Sequence, residues 1–209
     1  MNSTAASYFE YLRRSSLDLI ASLGLRSEPL PLEAIMRDIK PKMDDIKAHL
    51  PAFSAQSKPQ HPADLERKAG VGLNSVGMLV DRLTILFIRE WCLLNKGKPN
   101  PEKARTIYEQ QTKDIIVAIA EARPGSSALN TKITNLKGEA NAKNWVEAFY
   151  GLLTTNILLW ESQEILYIRD IGQLPAEELR SYIQWFAYGN MRRNEYIQLC
   201  EELYWRDAA

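Results

Sequence analysis

Apolar residues recur along most of this chain at intervals of three and four. That period lines one face of an α-helix and differs from the alternation of a strand. Residues 5–23 carry Tyr8, Leu12, Leu19 and Leu23 in this rhythm, and Gly24 supplies a stop. Pro31 opens a second periodic stretch with Leu32, Ile35, Met36 and Ile39, which Pro41 ends or kinks. Met43, Ile46 and Leu50 predict a further short helix. The pattern then lapses, because Ser54, Gln56, Ser57, Lys58, Pro59, Gln60 and Pro62 hold too little apolar surface to order themselves. This Pro-rich connector divides an expected N-terminal helical segment, residues 1–60, from a main bundle over 61–209 that starts with a short helix at 63–68.

The bundle should hold the strongest helices. Over 74–94, with Asn74 or Ser75 as N-cap, one stripe is Val76, Leu79, Val80, Leu83 and Phe87, and another is Ile85, Ile88 and Cys92. A helix apolar on two sides is packed on several sides, so this one should be central. The run Lys96-Gly97-Lys98-Pro99-Asn100-Pro101 breaks it. Residues 102–122 predict a helix with Ile107, Ile115, Ile116 and Ile119 inward, ended by Pro124-Gly125. A short helix within 126–136 and a polar loop to Lys143 follow. The second deeply packed helix spans 144–169, and the last spans 175–205, with Pro175 in its first turn, Glu177 and Glu178 complementing the dipole, and a bend at Gly189. The expected fold class is all-α: a bundle of about five to seven helices around two central buried ones.

Composition narrows the function classes. Lys plus Arg equals Asp plus Glu, 26 against 26, so no net field favours nucleic acid or an anionic membrane. The two cysteines, Cys92 and Cys200, sit in apolar helical stretches and are expected as buried hydrophobes rather than a disulfide. No apolar run reaches the roughly 20 residues of a membrane span. The first residues lack the basic head and apolar block of a secretory signal. A soluble, cytoplasmic protein is expected.

Several chemistries lack their residues. His49 and His61 flank the connector, far from any Cys or His cluster at zinc-ligand spacing. The run Glu161-Ser162-Gln163-Glu164 has no histidine for a Glu-x-x-His di-iron motif, and Gly70-Val71-Gly72 lacks the rest of a phosphate loop. No cofactor is expected, and no catalytic residue is assigned.

Polar side chains nevertheless interrupt the apolar stripes. Glu164 shares a face with Leu153, Ile157, Trp160 and Ile168. Asn190 and Arg193 fall within the series Leu179, Ile183, Phe186, Ile197 and Cys200, and Asp81 shares a side with Ile85, Ile88 and Cys92. Burying such charges unpaired costs several kcal/mol each, on the order of 3–5. Asp81, Glu164 and Arg193 should therefore form an inter-helix network supported by Asn190, with Asn156 or Gln163 nearby. Three readings of this cluster stand: a lock on helix register, a pocket for a small polar ligand, or an acid/base or Mg²⁺ site using Asp81, Glu161 and Glu164. Arg82, Arg89, Arg192 and the Lys96/Lys98 pair offer a basic rim for an anion. The aromatic residues of the last third, among them Trp145, Trp160, Trp185 and Trp205, are expected in helix seams rather than as a ligand platform.

Two segments carry a resemblance. Val80-Asp81-Arg82-Leu83-Thr84-Ile85-Leu86 is one; Asn156-x-x-Leu159-Trp160-Glu161-x-Gln163-Glu164 with the later Asn190-x-x-Arg193 is the other. Over residues 76–205 they resemble an uncharacterised bacterial all-helical family found beside, or fused to, glycosyltransferases, with the pattern VDKLTIL, N-x-x-LW-x-x-E-D-x-I-R and ND-x-R. Arg82 stands where that pattern has Lys, Gln163-Glu164 stand for its Glu-Asp pair, and its Arg is displaced to Arg169 or absent. The resemblance implies a setting, glycan or cell-envelope metabolism, rather than a reaction.

The sequence thus favours a non-enzymatic accessory or regulatory protein that contacts a protein partner or a second copy of itself and holds a small polar or anionic ligand. The alternative is a helical hydrolase or transferase acting on a phosphorylated or sugar-nucleotide substrate through a carboxylate-bound divalent metal.

Overall fold

The computed structural model describes residues 3–23, 75–96, 101–122 and 140–208. Among the described residues every regular element is helical: α1 (Ser3–Leu23), α2 (Val76–Asn95), α3 (Pro101–Ala120), α4 (Trp145–Ile168) and α5 (Ala176–Ala208), with one 3₁₀ turn at Ile171–Gln173. The short helices expected between residues 31 and 68 and within 126–136, and the connector that would separate two segments, lie outside the described residues.

Local chemistry sets the helix starts. Ser75 caps α2, its hydroxyl accepting the Met78 N–H at 3.2 Å. Asn144 caps α4 by accepting the Glu147 N–H at 2.9 Å, and Glu147 reaches back to the Lys143 N–H at 2.7 Å. Asp170 caps the 3₁₀ turn through the Gly172 N–H at 3.0 Å.

Two helices occupy the centre, as their apolar content requires. α2 packs against each of the other four, and α4 lies along α5 while also meeting α1 and α2. Every residue from 152 to 159 of α4 is buried, so this helix has no solvent face there. α1 contributes to the same core through Tyr8, Phe9, Leu12 and Ile20. Its aromatic end docks on Trp145, whose ring lies 5.9 Å from Tyr8, 5.7 Å from Phe149 and 5.8 Å from Tyr204. An ion pair from Arg13 of α1 to the buried Glu90 of α2 fixes the docking, with Nε to Oε2 at 2.9 Å and Nη2 also on the carboxylate.

α3 is attached by a narrow stripe, Thr112, Ile116 and Ile119, with Ile115 half-buried. Ile107, expected inward, is 45% exposed. The seam of α5 also differs from the series read off its aliphatic residues. Tyr182, Gly189, Tyr196 and Leu203 are buried at intervals of seven, with Glu195, Cys200 and Tyr204 buried beside them, whereas Ile183 is 62% exposed. Glycine makes this seam close: a Cβ on Gly151 would fall 2.2 Å from the Tyr196 ring. Gly189, expected as a bend, instead lets Leu159 and Trp185 approach within 3 Å of where its Cβ would be, and α5 continues through it unbroken.

The second half of α5 also ties down earlier backbone, including the first turns of two helices. Glu195 accepts the Ala140 N–H at 2.8 Å, Glu201 the Gly77 N–H at 2.9 Å, and Asp207 the Trp145 N–H at 2.8 Å. Two of these carboxylates thereby sit at the positive ends of α2 and α4, where an anion is favoured by the helix dipole.

Candidate functional site

The site begins with a glycine. A Cβ at Gly77 would lie 2.1 Å from the Ile197 carbonyl oxygen, so α2 and α5 touch backbone to backbone there. One turn along α2 is Asp81, and one turn back along the antiparallel α5 is Arg193. The close approach places the two side chains face to face. Arg193 donates from Nε to Asp81 Oδ1 at 2.8 Å and from Nη2 to Oδ2 at 2.5 Å, a bidentate fork.

The third helix enters through Asn156 of α4. Its Nδ2 donates to Asp81 Oδ1 at 2.9 Å and to Thr84 Oγ1 at 2.8 Å, and the Thr84 hydroxyl in turn donates to the Asp81 carbonyl at 2.8 Å. Asp81, Thr84 and Asn156 are 3%, 0% and 1% exposed, while the Arg193 side chain keeps 32% of its surface. The junction is therefore sealed on the α4 side and open on the arginine side. The hydrogen bond to Asp81 raises the affinity of Arg193 for its proton, and the partial burial of the guanidinium works against that.

Arg193 opens onto a cleft of about 470 Å³ between α2, α3 and α5, a volume typical of small-molecule sites. One wall is a single face of α2, formed by Arg82, Ile85, Leu86 and Arg89, and α3 supplies Gln111, Asp114 and Ile115. Arg82, Arg89, Gln111 and Asp114 are all exposed, so the cleft communicates with solvent. Asp114 accepts a hydrogen bond from Gln110 at 2.8 Å, while Arg82 and Arg89 have no ion-pair partner among the described residues.

Of the eight residues singled out from the sequence, the structure joins Asp81, Asn156 and Arg193 by hydrogen bonds and brings Arg82 to the adjoining cleft. The other four stand elsewhere. Glu164 forms no ion pair with Arg193; it lies eight residues beyond Asn156 on α4, about 12 Å along the axis, and is half-buried. Asn190 is exposed and donates to the Phe186 carbonyl of its own helix at 2.8 Å, so it supports no network. Gln163 is exposed, and Glu161 is buried on a different face of α4 from Asn156. The expected three-charge cluster is thus one carboxylate, one guanidinium and one amide.

Thr84 escapes a reading of the sequence because a threonine within an apolar stripe looks like a small β-branched core residue. Glu90 carries a legible signal, since it interrupts the stripe Leu79, Leu83, Leu86 and Leu93 at helical spacing. Among the described residues, no group of three or more His, Cys, Asp or Glu side chains could hold a metal ion. Both cysteines are buried and neither forms a disulfide, and burial pushes the Cys200 thiol well above its ordinary range. No helix among the described residues is long and apolar enough to cross a membrane.

The chain matches no protein-family model, no curated protein and no solved structure.

Proposed function

We propose that this is a non-enzymatic helical binding protein of accessory or regulatory type, whose cleft between α2, α3 and α5 receives a small polar or anionic ligand. The observation that carries the reading is the divided role of Arg193. One edge of its guanidinium is clamped by the buried Asp81, and the remainder faces the cleft. A cation held rigidly at a cleft wall loses little side-chain freedom when a ligand arrives, which favours binding. Of the two carboxylates that line the cleft, Asp81 is buried and engaged by Arg193 and Asn156, while Asp114 stands exposed on α3. Among the described residues neither carboxylate belongs to a group of three or more acidic, His or Cys side chains that could hold a metal ion, which favours the binding reading over the metal-dependent enzyme.

The accessory role draws on the amino-terminal half of α5, where Ile183 and Tyr188 are 62% and 47% exposed and offer apolar surface to a protein partner or a second copy. The glycan-metabolism setting implied by the motif resemblance belongs to this proposal as its context.

The test is a fragment screen by two-dimensional NMR on the full chain. Binders should shift resonances of Ile85, Ile115 and the Arg193 side chain together. A chemically diverse library that leaves these three unmoved at millimolar concentration would remove the cleft from consideration.

A further inference from the structure

Resting on the ligand-binding reading, we infer that the cleft selects a phosphomonoester carried on a short apolar stem.

The charge balance points there first. Three guanidinium groups line the cleft against two carboxylates. Asp81 is neutralised by the Arg193 fork, and Asp114 stands across the cleft on α3 with Gln110 as its donor. Arg82 and Arg89 have no described counter-ion, and Arg193 donates only from Nε and Nη2, leaving Nη1 with no acceptor among the described residues. The α2 and α5 walls thus offer planar N–H forks in search of acceptor oxygens. A carboxylate satisfies one such fork, whereas a dianionic phosphate with three terminal oxygens satisfies two or more.

The spacing supplies the rest. Arg82 and Arg89 are seven residues apart on α2, about 10 Å along the axis, so the two side chains can converge on one anion between them. Ile85 and Leu86 lie between them and face Ile115 of α3, giving an apolar floor. Asp114 repels the anion from the α3 side, which sets the polarity of the ligand. The phosphate lies toward Arg82, Arg89 and Arg193, and the stem lies over Ile85 and Ile115.

The experiment is titration calorimetry on the full chain with phenyl phosphate, benzoate and benzyl alcohol, which share a ring and differ in charge. Phenyl phosphate should bind at least about tenfold more tightly than either of the others, as an added charge-assisted contact implies. In the double variant Arg82→Gln/Arg89→Gln that preference should fall about tenfold or more with the melting temperature unchanged, because both residues are exposed and carry no described contact. An Arg105→Gln control on the outer face of α3 should bind as the parent does. Equal affinity for the three compounds, or undiminished phosphate binding in the double variant, overturns the inference. If benzyl alcohol shifts the cleft resonances and phenyl phosphate does not, the phosphate class fails and the ligand cleft survives; if neither shifts them, both fail.

Discussion

Replacing Arg193 by methionine isolates the energetics of the three-helix junction. The change keeps most of the side-chain stem and leaves the Asp81 carboxylate, 3% exposed, with the Asn156 amide as its one remaining side-chain donor. Deleting one partner of a sealed ion pair costs about 3–5 kcal/mol, chiefly because the surviving charge stays desolvated. Arg193 keeps 32% of its surface, so water entering from the cleft can replace part of the lost donor set. The expected cost is therefore reduced to about 2–3 kcal/mol. Asp81→Asn is predicted to be milder, about 1 kcal/mol, since the substituted amide can still accept from Asn156 and the released guanidinium can turn to solvent. The sharper expectation concerns the double variant. With both charges gone the junction holds no ionic group, so Arg193→Met/Asp81→Asn should be more stable than Arg193→Met alone by about 1 kcal/mol or more. Urea unfolding monitored by tryptophan fluorescence gives all four midpoints, and unchanged m-values would show that the comparison concerns the native state. A cost below about 0.5 kcal/mol for Arg193→Met, or a double variant less stable than that single one, would refute the view that Asp81 is a buried charge dependent on its arginine.

Further outcomes follow from the same packing. Gly77→Ala forces a Cβ onto a backbone carbonyl and should lower stability by about 2–3 kcal/mol, whereas Gly189→Ala meets only side-chain atoms that can shift and should cost less; thermal denaturation of the pair checks the order. Arg13→Met leaves the buried Glu90 unpaired and should cost about 2–3 kcal/mol, and hydrogen exchange should show α1 losing protection before α2 and α4; loss of protection in all helices at once would contradict it. Burial raises the Tyr8, Tyr150 and Tyr204 hydroxyls above the ordinary tyrosine range, Tyr204 to about 12. Because the unfolded chain gives up these protons first, their contribution is fully present below pH about 10 and lost as pH rises beyond it, by about 1.4 kcal/mol per pH unit for each tyrosine. Urea midpoints should be flat between pH 7 and 9 in this respect and fall steeply above about 10, and Tyr8→Phe, Tyr150→Phe or Tyr204→Phe should each remove tyrosinate absorbance that appears only with unfolding.

Helix positions are legible in the sequence because the apolar period and the end signals agree. Ser75, Asn144 and Pro175 mark starts that the structure keeps within a residue or so. The pairing of Asp81 with Arg193 is legible for a related reason: period alone places both on inward faces, where each needs a counter-charge. Distance along an axis is not encoded in period, which is why the pattern groups Glu164 with them although it lies two turns away. The seam of α5 escapes for a different cause. Its contact line runs through Tyr182, Gly189 and Tyr196, residues that a count of aliphatics passes over, while the aliphatic Ile183 stands outward. Close helix contact requires small residues on one side and flat rings on the other, and neither registers as strongly hydrophobic. The cleft is invisible to any such pattern, since Gln111, Asp114 and Ile115 meet α2 only through tertiary packing.

The three carboxylates of α5 that reach Ala140, Gly77 and Trp145 give the chain a direction of assembly. During synthesis α2 and α4 leave the ribosome before Glu201 and Asp207 exist, so their opening turns remain incompletely satisfied until α5 has been made. α5 thus acts as the closing piece that converts separately formed rods into one cooperative unit, and stalled or shortened chains lacking it should stay loose and open to proteolysis.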